Sequence, residues 1–202
     1  VTLDHMLHHV EATARGVKNA LLVGDMPIHS YDTVEQAVQS AKKLFLAGAD
    51  AVKLEGGAAQ AENIRAIVEA GIPVVGHIGL LPQKVLEEGG YKIKGKSSSE
   101  EEALVRDVAA VAEAGACAVV VEGVTPHAAR QITVHSSIPT LGIGSGAHTC
   151  DGDVVVIHDL VGAFPWFVPA FVKPRADVAG SMIAAVKEWM EDCYTEPGSV
   201  SS

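Results

Sequence analysis

The sequence predicts an α/β protein of the (β/α)8 barrel class, with one to two N-terminal βα units lying outside the 202 residues. Three observations predict it. Short apolar runs alternate with amphipathic stretches along the whole chain. Three of those stretches end in nearly the same Ala-Gly turn into a strand. Polar residues sit at the C-terminal ends of many strands, not at one crevice.

The elements follow in order. A helix opens the chain near 2–15, with Thr2 as its N-cap. Strands are predicted at ALLVGD (20–25), AVKLEG (51–56), PVVGHIG (73–79), AVVVEG (118–123), PTLGIGSG (139–146) and VVVIHD (154–159). Each is short and rich in β-branched residues, as buried parallel strands are. Helical patterns fill 33–48, 60–71, 100–115 and 126–135. The turns Leu46-Ala47-Gly48-Ala49, Glu69-Ala70-Gly71-Ile72 and Glu113-Ala114-Gly115-Ala116 place glycine just past a helix end, where a left-handed cap turns the chain into a strand. A Pro- and aromatic-rich segment from 160 leads to a last helix near 176–193, and 194–202 is expected to be a frayed tail. All of this is assigned to one incomplete barrel domain, 1–202. Six strands cannot close an eight-stranded barrel, and the first residue is Val rather than Met, so an upstream part is expected to exist outside this sequence.

Composition narrows the function classes. The chain is 48% hydrophobic but only 4% aromatic, so small aliphatic residues build its core. A net charge of -10 with no Lys/Arg cluster argues against nucleic acid and against an anionic membrane surface as partners. No apolar run has the length of a membrane span. Three scattered cysteines suit a reducing compartment, and the cytoplasm is the expected location.

Six polar residues end the predicted strands: Asp25, Glu55, His77, Glu122, Ser145 and Asp159. Asp25, pinned by the following Met-Pro, is a candidate hard-metal ligand or a turn aspartate. Lys53 and Glu55 share one face of a strand, as a substrate-holding pair or a buried salt bridge, and Gly56-Gly57 beside them would let a substrate approach the backbone. His77, between glycines, is a candidate substrate contact or a satisfied core histidine. Glu122 follows four apolar residues. Burial would raise its proton affinity, which suits a base for a carbon acid, and a salt bridge is the alternative. GIGSG (142–146) is a weak anion-cradle signal or, in a barrel, a segment that only shapes the mouth, and the loop 80–99 is long enough for a lid or for a solvated loop. His5, His8 and His9 are read as a solvated helix face.

Seven segments in order carry a resemblance: VTLDHM, LLVGDMP, AGADAVKLEGG, VVGHIGLLPQ, GGYKIKGK, VVVEGVTP and GIGSGAHTCDGDVVVIHD. Together they resemble the ketopantoate hydroxymethyltransferases over nearly the whole chain. The resemblance implies a (β/α)8 barrel enzyme that forms homo-oligomers, often decamers. Such an enzyme transfers a hydroxymethyl group from 5,10-methylenetetrahydrofolate to the 2-keto acid 3-methyl-2-oxobutanoate. The product is 2-dehydropantoate, in pantothenate and coenzyme A synthesis, formed through a Mg2+-stabilised enolate. It implies Asp25 and Glu55 as metal ligands, Lys53 and His77 as keto-acid contacts and Glu122 as the base. Ser145 stands where the family commonly has alanine, Gly123 and Thr125 also depart, and the family's first strand, with an Asp-Ser pair, has no counterpart after Val1. Two other readings stand beside this one. One is another Mg2+-dependent keto-acid barrel of the phosphoenolpyruvate mutase and isocitrate lyase kind. The other is a truncated, inactive barrel serving as a structural or interaction subunit.

Overall fold

The computed structural model describes residues 1–194, which divide into two compact units, 1–154 and the residues from 155 on. The tail expected at 194–202 lies outside the described residues apart from Tyr194, which ends a helix.

The first unit runs α1 (Leu3–Gly16), β1 (Val23–Asp25), α2 (Val34–Leu46), β2 (Ala51–Lys53), α3 (Ala61–Glu69), β3 (Val74–Gly79), α4 (Ser98–Glu113), β4 (Ala118–Glu122), α5 (Pro126–His135), β5 (Thr140–Ile143) and β6 (Gly152–Asp153). Single 3-10 turns at Ala58–Gln60 and Pro82–Lys84 follow β2 and β3. Hydroxyl caps start the helices: Thr2, Thr33, Ser97 and Thr125 each accept the backbone N–H three residues on. At Thr2 the cap is reciprocal, because His5 Nδ1 accepts the Thr2 N–H. His5 is therefore part of a capping box, while His8 and His9 remain on the exposed face.

The three Ala-Gly turns share one hydrogen-bond pattern. Gly48, Gly71 and Gly115 have φ of 110°, 84° and 97°. The next residue donates back five positions in every case: Ala49 N–H to Leu44 O, Ile72 N–H to Ile67 O, and Ala116 N–H to Val111 O. This is the Schellman arrangement, and a side chain at any of the three glycines would strain it.

All six strands are parallel and lie in the order β1-β2-β3-β4-β5-β6. A doubly wound sheet reverses its strand order at a switch point. Here each strand adds to the same edge. Right-handed crossovers then place successive helices on one face, where α2, α3, α4 and α5 pack in turn, and the result is a half-barrel.

Strand alternation separates two faces. Val52, Leu54, Val74, Ile78, Val119 and Val121 turn toward the helices and join Leu44, Ile64, Ile67, Val108, Val111 and Ile132 in the core. Each such side chain contributes about 1.5–3 kcal/mol. Gly76 lies on the same face, where a Cβ would come within 2.4 Å of Val111 Cγ1, so glycine is what lets α4 lie on β3. The alternate positions, Asp25, Lys53, His77 and Glu122, turn to the other face, the inner face of the half-barrel, and Glu55 follows Lys53 two residues on.

One predicted strand is corrected. VVVIHD is not a strand: β6 is Gly152–Asp153, and Ile157–Leu160 forms the short helix α6, which carries Asp159. Val154 N–H still reaches Gly142 O, but Val154–Ile157 are exposed. β6 has one neighbouring strand among the described residues, so beyond Val154 no ladder holds the chain extended. Asp159 accordingly lies on a helix and not at a strand end. In the second unit α6 leads to α7 (Val178–Tyr194), whose first turn is capped by Asp177 Oδ1 accepting the Gly180 N–H at 2.9 Å.

Candidate active site

Parallel register sets the inner-face residues side by side. Asp25 pairs with Lys53 across β1 and β2, and Gly79 with Glu122 across β3 and β4. The side chains then form one continuous line. Lys53 Nζ lies 2.9 Å from Asp25 Oδ1 and 3.2 Å from His77 Nδ1, and His77 Nε2 lies 3.3 Å from Glu122 Oε2. Four of the five predicted site residues, from four different strands, are thus linked atom to atom.

The partners assign the tautomer of His77. An ammonium is only a donor, so Nδ1 accepts from Lys53. Nε2 faces the Leu80 carbonyl at 3.1 Å and the Glu122 carboxylate, both acceptors, so Nε2 carries the hydrogen. His77 is buried, with 3% of its side chain exposed, while Glu122 keeps 21%. Glu122 is therefore not the fully desolvated acid that its apolar run suggests. It opens toward the inner face with the imidazole N–H beside it. Gly79 matters here. Its φ is 94°, and a Cβ would fall 2.3 Å from the Glu122 carbonyl oxygen, so any side chain would push β3 and β4 apart next to Glu122.

Glu55 is buried and stands at the other end of the line. Burial raises its pKa. The Gln83 N–H and the nearby His77 and Lys53 act against that shift, and Asp25 adds to it. Gln83 N–H donates to Glu55 Oε2 at 3.0 Å, Gln83 Nε2 donates to Met26 O at 3.0 Å, and Tyr31 Oη donates to Gln83 Oε1 at 2.7 Å. Tyr31 is buried, which pushes its phenol up to about 12 and keeps it a donor. Sequence reasoning passed over both Tyr31 and Gln83. The available signal was a tyrosine in a chain with only three, and a glutamine directly after the Pro that follows GHIGL.

Asp25 and Glu55 line one recess of about 360 Å3 with Pro27, Pro82 and Gln83. Asp25 Oδ1 is buried and accepts no hydrogen bond, since the nearby ammonium lies outside hydrogen-bonding angles. That oxygen has the Lys53 ammonium as its ion-pair partner at 2.9 Å and keeps lone pairs to which a divalent cation could bind. Two hard carboxylate donors on one recess fit Mg2+, which takes one or two carboxylates and keeps waters or substrate oxygens in its other positions. Among the described residues no set of three or more His, Cys, Asp or Glu forms a closed metal cluster.

The remaining sequence candidates have other duties. The glycines after Glu55 serve packing: a Cβ on Gly57 would fall 2.1 Å from Asp107 Cγ, whose carboxylate caps the Ala58 N–H, and one on Gly56 would meet Gln60. Ser145 is buried, and its hydroxyl donates to Val121 O at 2.6 Å and Ile143 O at 3.2 Å. The loop 80–99 is pinned near Glu122, where Lys94 N–H donates to Gly123 O and Thr125 N–H to Lys94 O, and Lys94 pairs with Glu88.

Comparison with known proteins gives the family. The family model described as ketopantoate hydroxymethyltransferase matches residues 1–197. The 3-methyl-2-oxobutanoate hydroxymethyltransferase of Syntrophotalea carbinolica is 50% identical over 95% of this chain and 72% of its own length. Those of Moorella thermoacetica and Ignicoccus hospitalis are each 47% identical over 95% of this chain, covering 72% and 73% of their own. Among solved structures, 2,3-dimethylmalate lyase, a PEP mutase/isocitrate lyase superfamily member, aligns at a TM-score of 0.58 with 19% identity, over 95% of this chain and 66% of its own. Oxaloacetate acetylhydrolase aligns at 0.60 with 13% identity, over 97% and 67%. At such identities the likeness is one of fold. No described helix is long and apolar enough to cross a membrane.

Proposed function

The chain belongs to the ketopantoate hydroxymethyltransferase family, and from that premise we propose that it transfers a hydroxymethyl group from 5,10-methylenetetrahydrofolate to 3-methyl-2-oxobutanoate, giving 2-dehydropantoate in pantothenate synthesis. The observation that carries the reading is the unbroken line Asp25–Lys53–His77–Glu122, with Glu55 beside its first member. It sets acidic metal donors at one end of a cation and a proton-accepting carboxylate at the other.

Asp25 and Glu55 would hold Mg2+, which when bound supplies Lewis-acid polarisation of the 2-oxo group. The chain's own residues do the rest. The Lys53 ammonium holds the substrate carboxylate and offsets charge that develops on the oxo oxygen. Glu122 takes the proton from C3 as that C–H bond breaks, and its electron pair forms the new bond to the methylene carbon. Water supplies the hydroxyl oxygen, and its remaining hydrogen and the proton taken by Glu122 go to the two folate nitrogens that release the methylene carbon. The His77 N–H, fixed as a donor by Lys53 on its other nitrogen, orients the Glu122 carboxylate for this transfer. The Leu80 carbonyl at the same N–H keeps the ring from turning.

Family likeness also supports a homo-oligomer, a decamer in this proposal. The free thiols of Cys117, Cys150 and Cys193 suit the proposed cytoplasmic location. The test is Glu122→Gln. In deuterated water with Mg2+ and the keto acid but no folate, the unaltered chain is expected to exchange the C3 proton, and the variant is expected to lose about 10^2- to 10^4-fold of that rate. Full exchange by the variant removes Glu122 as the base. Absence of exchange by the unaltered chain would favour the structural-subunit alternative.

A further inference from the structure

Gln83 stands where three chain segments meet. Its backbone N–H is on Glu55, after β2. Its side-chain amide N–H is on the carbonyl of Met26, the residue after Asp25. Its side-chain oxygen takes the hydroxyl of Tyr31, in the loop from β1 to α2. Met26 is in turn tied to β2, because its N–H donates to Lys53 O at 2.8 Å. Gln83 also belongs to the short Pro82–Lys84 turn, where Pro82 supplies no N–H of its own and one of the fixed donors points at Glu55.

We propose that Gln83 is a positioning residue: its amide, locked by the Tyr31 hydroxyl, clamps the turn after β3 onto the carbonyl following Asp25 and thereby fixes the spacing of the Asp25 and Glu55 carboxylates for a divalent cation. The amide is matched at both ends. Nε2 is used as a donor to a carbonyl and Oε1 as an acceptor from a phenol that stays protonated, so the side chain cannot flip without facing donor to donor and acceptor to acceptor. Only glutamine provides both functions at this reach. A glutamate would keep the contact to Tyr31 but set an anionic oxygen against Met26 O. Alanine would free the turn from β1. In either case the Gln83 N–H loses its fixed aim, and Glu55 loses its directional partner.

The proposal rests on the reading of Asp25 and Glu55 as metal donors, so its experiment measures metal binding without turnover. Mn2+ is titrated into the substrate-free chain, and free Mn2+ is followed by electron paramagnetic resonance. Gln83→Ala and Gln83→Glu are each expected to raise the Mn2+ dissociation constant about 10- to 100-fold, the range for outer partners of metal ligands. Tyr31→Phe, which keeps the ring and its packing, is expected to raise it severalfold in the same direction while the melting temperature stays within a few degrees. A dissociation constant within twofold of the unaltered chain in folded Tyr31→Phe and Gln83→Glu overturns the proposal. Failure of the unaltered chain to bind Mn2+ overturns it together with the metal-site reading. Clamp-dependent Mn2+ binding without product from the keto acid and the folate leaves the clamp standing and removes only the transferase reading.

Discussion

The C-terminal ends of β1 to β4 and the region around β5 and β6, where Ser145 follows β5 while Thr140 opens it and Asp151 precedes β6, treat their polar groups in opposite ways. On the first side Asp25, Lys53, His77 and Glu122 contact one another, and one buried carboxylate oxygen, Asp25 Oδ1, accepts no hydrogen bond. On the second side Ser145, Thr140 and Asp151 bond to nearby backbone and to neighbouring side chains. Ser145 donates to two carbonyls, and Asp151 Oδ2 accepts both the N–H and the hydroxyl of Thr140 at 2.9 Å, while the Thr140 hydroxyl meets that of Thr133 at 3.0 Å. The difference shows that position at a strand end does not by itself make a residue functional. Hydrogen-bonding capacity left for something outside the chain does. The first side holds charge in reserve, and the second spends its polar groups on joining β5 to the turn before β6.

Lys53 is where this comparison is most exposed to test. Lys53→Met removes the charge that touches both Asp25 and His77 while keeping a long unbranched side chain. It is expected to lower kcat/KM for the keto acid about 10^2- to 10^3-fold, comparable to loss of one charge-stabilising donor. Stability should change by no more than about 2 kcal/mol, because Asp25 keeps 45% of its side chain in water. Steady-state kinetics and denaturant unfolding on the same sample measure both. A large loss of stability with little loss of kcat/KM would make the first side structural too and erase the contrast.

What the sequence disclosed follows the range of the interactions involved. The αβ boundaries were legible because each Schellman turn is closed within six residues and demands glycine at Gly48, Gly71 and Gly115. Lys53, Glu55, His77 and Glu122 were legible because a polar side chain in an apolar strand is conspicuous. The misplaced strand at 154–159 is a failure of the same rule. A run of Val and Ile has the composition of a strand whether or not a neighbouring strand exists to hold it. Tyr31 and Gln83 were not legible, since their bond spans 52 residues and neither residue type is unusual in a loop. The packing duty of Gly57 was hidden for the same reason, its partner Asp107 lying on α4.

Asp151 offers a middle-sized test from the second side. The Thr140 N–H and hydroxyl hold its carboxyl below the usual value of 3.8. A depressed folded-state value means that the carboxylate stabilises the fold above the unfolded-state pKa, and that this stability is lost as pH falls through the folded-state value. Asp151 is exposed, so solvent screens the contribution, and Asp151→Ala is expected to cost about 1 kcal/mol near neutrality. Unfolding measured from neutral to strongly acidic pH should show the gap between the two proteins closing on the acid side. Kinetics with the keto acid should be unchanged. A kinetic defect here would mean that the second side also serves chemistry.

The smallest expected effect belongs to Ser145. Its hydroxyl is buried and wholly consumed by Val121 O and Ile143 O, and Ile143 O keeps the Gly123 N–H as a partner when the hydroxyl is removed. Ser145→Ala leaves no unpaired donor behind, because the group that would need a partner is the group deleted. The loss is that of a neutral hydrogen bond, about 0.5–1 kcal/mol, with no shift in KM for the keto acid or in Mn2+ affinity. A rise in KM would show that the hydroxyl turns toward the inner face when substrate binds, and the glycine-flanked turn at 142–146 would then belong with the first side of the half-barrel.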